Sequence, residues 1–177
     1  MLVTDQTLEP TQVAGFNQFF DDVNGTEAWV FGAAVDQKFS KDLYGGIEYY
    51  QRDLKVPAQI ISQPTPPEPP VTSVELVDWK EYEGRAYLYW TPHPWLALSA
   101  EYLYEQLDRD PQFVAGIENV KTHRFPLGIS FFHPSGFSVN VRATYTNQKG
   151  TFQPQGSSPY TFLPGSDNFW IVDASLS

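Results

Sequence analysis

Three histidines and a cluster of glutamates are the side chains in this 177-residue chain best suited to hold a metal or move a proton. His123 and His133 stand in one extended segment, roughly 33 Å apart at strand rise, too far to share an ion. His93 and His133 both sit in proline-containing turns; a shared site is one reading, and ordinary turn residues are the better one. Glu81, Glu83, Glu101 and Glu105 would need a closed pocket holding one carboxyl protonated to act as an acid/base pair. They fall instead on alternating polar positions, which implies a wet, ion-paired wall. Cysteine is absent, so disulfides, thiolate metal sites and cysteine nucleophiles are excluded together. No G-x-S-x-G elbow occurs. Asn24-Gly25-Thr26 matches a glycosylation sequon, a pattern common by chance, and Gly45-Gly46 and Gly84 read as relief for neighbouring tyrosines rather than phosphate cradles. A formal charge of −10 argues against nucleic acid, whose phosphates need a basic footprint. The expectation is a chain that is not an enzyme, with no catalytic residues, no metal and no cofactor.

The elements that carry these residues are strands. In GFSVNVRATYTNQKG (136–150), Phe137, Val139, Val141, Ala143 and Tyr145 alternate without a break against Ser138, Asn140, Arg142, Thr144 and Thr146. Strict alternation places an apolar and a polar row on opposite faces of one strand. The run is also longer than the ~5–6 residues of an average strand. Six further segments, 28–39, 43–56, 80–91, 95–107, 122–132 and 168–177, behave alike. The predicted fold is all-β: an antiparallel meander of about seven long strands, an incomplete transmembrane β-barrel. Its polar faces gather Glu48, Arg52, Glu81, Glu83, Arg85, Glu101, Glu105, Arg124, Asn140 and Arg142, the expected lumen lining.

The connections alternate in kind. SKD (40–42), PHP (92–94) and HPS (133–135) are short turns, while 57–79, 108–121, 150–167 and the leader 1–27 are long and polar. QPTPPEPP (63–70) is expected to extend as polyproline II outside any ladder. Short turns at one end and long loops at the other are the outer-membrane barrel arrangement. Odd-numbered turns pair like faces with like. A register centred on Lys41 sets Val35 opposite Ile47. One centred on His93 sets Leu88 opposite Leu98, Tyr82 opposite Tyr104 and Arg85 opposite Glu101, with Glu83 and Glu105 flanking that pair.

The apolar faces are sorted by height. Tyr49, Tyr82, Tyr102, Tyr104 and Tyr145 gather at the long-loop end, and Phe39, Trp90, Phe131 and Phe137 at the turn end. Aliphatic side chains, Val35, Ile47, Leu88, Leu98, Ile129 and Val141 among them, fill the band between. Membrane interfaces select such belts because one end of a tyrosine or tryptophan is apolar and the other wet. No run of about 18 apolar residues exists, so no transmembrane helix is predicted. The first residues lack the basic and apolar regions of a signal peptide, and FWIVDASLS stops within an alternating strand. The expectation is therefore a mature piece or internal fragment, residues 1–177 of one barrel domain, with 1–27 an extracellular loop or leader and 28–177 the strands.

On three stretches the chain resembles the C-terminal part of TonB-dependent-receptor-like outer-membrane β-barrels, closest to barrel tails of tetratricopeptide-repeat outer-membrane proteins. They are QTLEPTQVAGFNQFFDDVNGTEAWVFGAAVDQKFSKDLYGGIEY, EGRAYLYWTPHPWLALSAEYLYE and FWIVDASLS. Leu8, Glu9 and Pro10 resemble the loop that leads into a descending strand in such barrels, and FWIVDASLS their third-last strand. The sequence departs from that pattern in showing no TonB box, plug, tetratricopeptide repeat or closing strands, so energy coupling does not carry over. The resemblance implies the outer membrane of a Gram-negative bacterium and passage or uptake of a small solute. It implies outer-membrane lipid, lipopolysaccharide and the remainder of the barrel as partners. The alternatives are a soluble β-sandwich ligand-binding module and a non-transporting barrel that anchors a periplasmic repeat domain.

Overall fold

A computed structural model describes residues 6–13, 16–23, 25–62, 69, 71–110, 116–154 and 161–177, with backbone alone for 6–13, 16–22 and 60–62. The fold is all-β, and no helix occurs among the described residues. A hairpin of β1 (Gln6–Val13) and β2 (Phe16–Val23) precedes one antiparallel sheet of seven strands. These are β3 (Glu27–Lys38), β4 (Leu43–Ser62), β5 (Val71–His93), β6 (Leu96–Arg109), β7 (Ile117–Phe132), β8 (Ser138–Phe152) and β9 (Leu163–Leu176), hydrogen-bonded in chain order. The sheet is an open meander: β3 pairs with β4, β9 pairs with β8, and no ladder joins β3 to β9.

Period-two alternation set the faces correctly, because a strand's side chains can point only two ways. Val35, Ile47, Ile129 and Val141 share the apolar face at 70%, 67%, 55% and 40% exposure, and Leu98 beside them is half-buried. Among the described residues nothing is layered over them. The hydrophobic core of the described residues is small and lies on the other face: Leu54, Val56, Ala58 and Val77, with Val23 and Trp79 against them.

Four expectations need correction. The leader is not a loop throughout, since Gln6–Val13 and Phe16–Val23 pair as a hairpin. The stretch 57–79 is mostly strand, because β4 and β5 run on together until Ser62 faces Val71. Burial of Leu54, Val56, Ala58 and Val77 rewards that extension, and Pro57 is accommodated within it opposite Leu76. Apart from Pro69, the polyproline reading of QPTPPEPP falls outside the described residues. Strands β7 and β9 likewise begin earlier than expected, at Ile117 and Leu163, shortening the two other long connections.

The fourth correction is the β5–β6 register. Trp90 faces Leu98, Leu88 faces Ala100, Tyr82 faces Gln106 and Arg85 faces Leu103, two residues from the His93-centred alignment. The turn tip is Pro94-Trp95, with His93 opposite Leu96, and a bulge in which Thr91 and Pro92 together oppose Ala97 takes back one residue, leaving the net shift of two. The Thr91 N–H donates to Asp42 O, just before β4, at 2.8 Å, so the next N–H would face β6, and that residue is proline. A shift of two preserves every face. The Lys41-centred register holds, with Val35 opposite Ile47. The third turn is longer than HPS: His133 N–H reaches Phe137 O at 2.7 Å, and Gly136 takes a φ of 92° that an L side chain would resist.

Candidate functional site

The polar face is a continuous network of charged side chains spanning four strands. Arg85 on β5 donates from Nε to Glu101 Oε2 on β6 at 3.1 Å, from Nη1 to Glu48 Oε1 on β4 at 3.2 Å and from Nη2 to Tyr89 Oη at 3.0 Å. Glu101 also accepts from Tyr89 Oη at 3.2 Å and from Arg142 Nη2 on β8 at 3.2 Å. The Arg142 contact crosses β7, and it does so over Gly128, the residue paired with Ser99 on one side and Arg142 on the other. A β-carbon there would strike Ser99 Oγ. The same device recurs at Gly46, between Asp36 and Tyr87, where the Tyr87 hydroxyl donates to Asp36 across the glycine.

Higher on the wall, Arg124 donates to Glu105, and Arg52 donates to Glu81. Glu83 faces Glu105 directly and is hydrogen-bonded to Tyr50. Arg85 is thus held between several acids, as expected, but its direct partners are Glu48 and Glu101. The two-residue register shift sets Glu101 opposite Tyr87 and Glu105 opposite Glu83, which stays two residues from Arg85 on β5. Asn140 sits on the same face and accepts from Ser130 at 3.3 Å. All ten side chains expected along this wall share the face. Arg52 differs in degree, being 2% exposed beneath the cluster of Leu54 and Val56.

That cluster is the feature the sequence reading missed. The alternation of Leu54, Val56 and Ala58 on the polar side of β4 was its available signal, hidden by assigning 57–79 to a loop. Beside it the Arg109 guanidinium lies 4.2 Å over the Trp79 ring. Burial lowers its proton affinity from the ordinary value, with Glu81 opposing.

The apolar face carries the aromatic side chains as two belts. At the long-loop end, Tyr102 lies 5.0 Å from Phe125, Phe125 6.3 Å from Tyr145, and Tyr145 5.2 Å from Trp170, a chain of rings across four strands. Tyr102 Oη meets His123 Nδ1 at 2.9 Å, which gives that histidine a place in the belt. Tyr49 and Tyr104 both pair with Gly84, and Tyr82 lies one pair higher on β5. Phe39, Trp90, Phe131 and Phe137 mark the turn end, all exposed.

Both belts cut obliquely across the hydrogen-bonded rows. The row through Tyr82 passes Gln106 and Lys121 and reaches Lys149, four residues beyond Tyr145. The row through Trp90 passes Leu98 and Ile129 and reaches Val141, four residues beyond Phe137 in the same direction. Four residues of ~3.3 Å across three spacings of ~4.8 Å correspond to strands tilted roughly 40° from the normal to the belts. Both belts share that slant, so the band between them keeps one width, about 20 Å at that tilt.

His93 and His133 do come together at the turn end, but Trp95 stands between them, 5.2 Å from one ring and 6.1 Å from the other. Among the described residues no group of three or more His, Asp or Glu side chains is placed to hold a metal. Comparison of the chain with protein-family models, with curated proteins and with solved structures yields no match.

Proposed function

We propose that this chain forms part of an outer-membrane β-barrel of the transporter or receptor type, with the charged face turned to a water-filled lumen and the apolar face to lipid. The observation that carries this reading is the pair of parallel, oblique aromatic belts on an uncovered apolar face. Tilts of about 35–45° and an apolar band near 25 Å are what a closed barrel needs to cross a bilayer. A soluble sandwich needs a second layer over that face, and none covers Val35, Ile47 or Val172, each more than 65% exposed. The likeness of the opening stretch, the β5–β6 hairpin and FWIVDASLS to TonB-dependent-receptor-like barrels points the same way, toward solute passage or uptake across the outer membrane. A second reading, a barrel that anchors a periplasmic domain without transporting, draws on the apolar cluster of Leu54, Val56 and Val77, which fills the polar face at its long-loop end.

The absence of cysteine makes the test clean, since each introduced thiol is labelled alone. Fluorescent labels at Val35, Leu127 and Val172 should be quenched by spin-labelled lipid. Labels at Glu83 and Asn140 should be quenched by a water-soluble agent. Water access at the first three positions ends the membrane reading.

A further inference from the structure

Tyr44, Tyr87 and Tyr89 form a cluster on the polar face near its turn end. Their ring centroids are 5.8 Å apart for Tyr44–Tyr87, 5.4 Å for Tyr87–Tyr89 and 6.5 Å for Tyr44–Tyr89, the last pair within 11° of parallel. Tyr44 remains 40% exposed. Fixed hydrogen-bonding groups surround the rings. Tyr44 and Tyr87 hydroxyls meet at 3.3 Å, Tyr87 is anchored on Asp36, Tyr89 on Glu101, and the Arg85 guanidinium lies 4.6 Å over the Tyr87 ring. Gly46 lets the Tyr87 hydroxyl reach Asp36, and Gly128 leaves room for Ser99 Oγ, so polar groups lie close over the backbone beside the rings.

We propose that this patch is a binding site for a neutral saccharide, which names the solute class of the barrel reading above and rests on it. A pyranose has an apolar face of C–H bonds and a rim of hydroxyls. Aromatic rings match the first through their negative π faces, and oriented carboxylates and guanidinium groups match the second. Both guanidinium groups beside the patch are already held by carboxylates, which disfavours an anion. Glu48 and Glu101 are paired with Arg85 and Arg142, and Asp36 is engaged by a tyrosine hydroxyl. An anion would have to displace a carboxylate from its arginine, and a cation the reverse. A polyhydroxylated neutral solute can use the same lone pairs and N–H groups without breaking either pair. Aromatic rings beside a few convergent polar groups are also part of the usual make-up of small-molecule sites.

The test is calorimetric titration of the full chain in detergent micelles with maltohexaose, xylohexaose and chitohexaose, with spermine and citrate as charged comparisons. At least one oligosaccharide should bind saturably in the millimolar range, more tightly than either ion. Tyr44→Ala and Tyr89→Ala should each weaken that binding at least fivefold. Tyr44→Phe should keep most of it, and Tyr82→Ala, on the opposite face, should leave it unchanged. No saturable binding of any of the three sugars, equal binding by the alanine variants, or preference for spermine or citrate overturns the proposal. Lipid quenching of the Val35 label is read on the same samples. Its failure removes the barrel reading, whereas its success with no sugar binding removes the saccharide site alone.

Discussion

Gly128 and Gly45 show how single residues set the two faces of this sheet. At Gly128, paired with Arg142, a β-carbon would strike Ser99 Oγ, while at Gly45 a β-carbon would press on the Tyr87 carbonyl oxygen. The two obstacles differ in kind. Ser99 Oγ can rotate away, but backbone cannot, so Gly45→Ala should cost about 1–3 kcal/mol in urea unfolding from micelles. Gly128→Ala should fall well below that, and Gly128→Leu should cut the Arg142–Glu101 contact. Arg85→Ala should change stability by no more than about 1 kcal/mol, because the Glu48 pair is partly solvated and Glu101 keeps Arg142 and Tyr89. Its larger effect should be electrical: Glu48 loses its cation, and the reversal potential in planar bilayers should shift toward cation selectivity. Facing was legible at this scale because two-residue periodicity leaves one choice. Partners were not fully legible: Glu101 could be read from a hairpin, but Glu48 lies across the other edge of β5, where no short turn fixes the register.

The β4–β5 hairpin is the element that most exceeds its sequence signal. It continues from the tyrosine belt to Ser62 and Val71, carrying the one buried hydrophobic cluster of the described residues. Leu54 and Val56 are 2% and 1% exposed, so Leu54→Ala should cost about 2–5 kcal/mol. Hydrogen exchange should accelerate in residues 53–58 and 75–80 while β7 and β8 keep their protection. Equal loosening of all strands would show that the cluster is not a local device. Pro57 and the run of prolines after Ser62 made this stretch read as loop. Alternation over Leu54, Val56 and Ala58 was present but too short to outweigh them. Pro92 acted in the opposite sense, inserting a bulge into a hairpin whose symmetric turn suggested none. Strand existence was therefore legible throughout the sheet, and strand ends and one register were not, because both depend on where proline withholds a ladder hydrogen bond.

For the whole molecule the governing fact is apolar surface with no protein to cover it. Trp29, Phe31, Val35, Ile47, Trp170 and Val172 are each at least half exposed. Patches beyond a few hundred Å² drive association in water, so the chain should sediment as aggregates in buffer and as a defined species in micelles; a stable monomer without detergent would contradict this. The edges of the open sheet carry a further consequence, one of direction. Both β3 and β9 run from the long-loop end to the turn end: β3 finishes at Lys38 beside the first turn, and β9 at Leu176 opposite Val139. Joined to each other they would be parallel, and so would the seams between two copies inserted in the same orientation. An antiparallel wall therefore cannot be closed by this sheet alone or by such a pair. In the proposed barrel, a completing segment would begin and end with a strand running the other way, and so would contribute an odd number of strands. Seven and an odd number make an even total, the count that single-chain bacterial barrels keep.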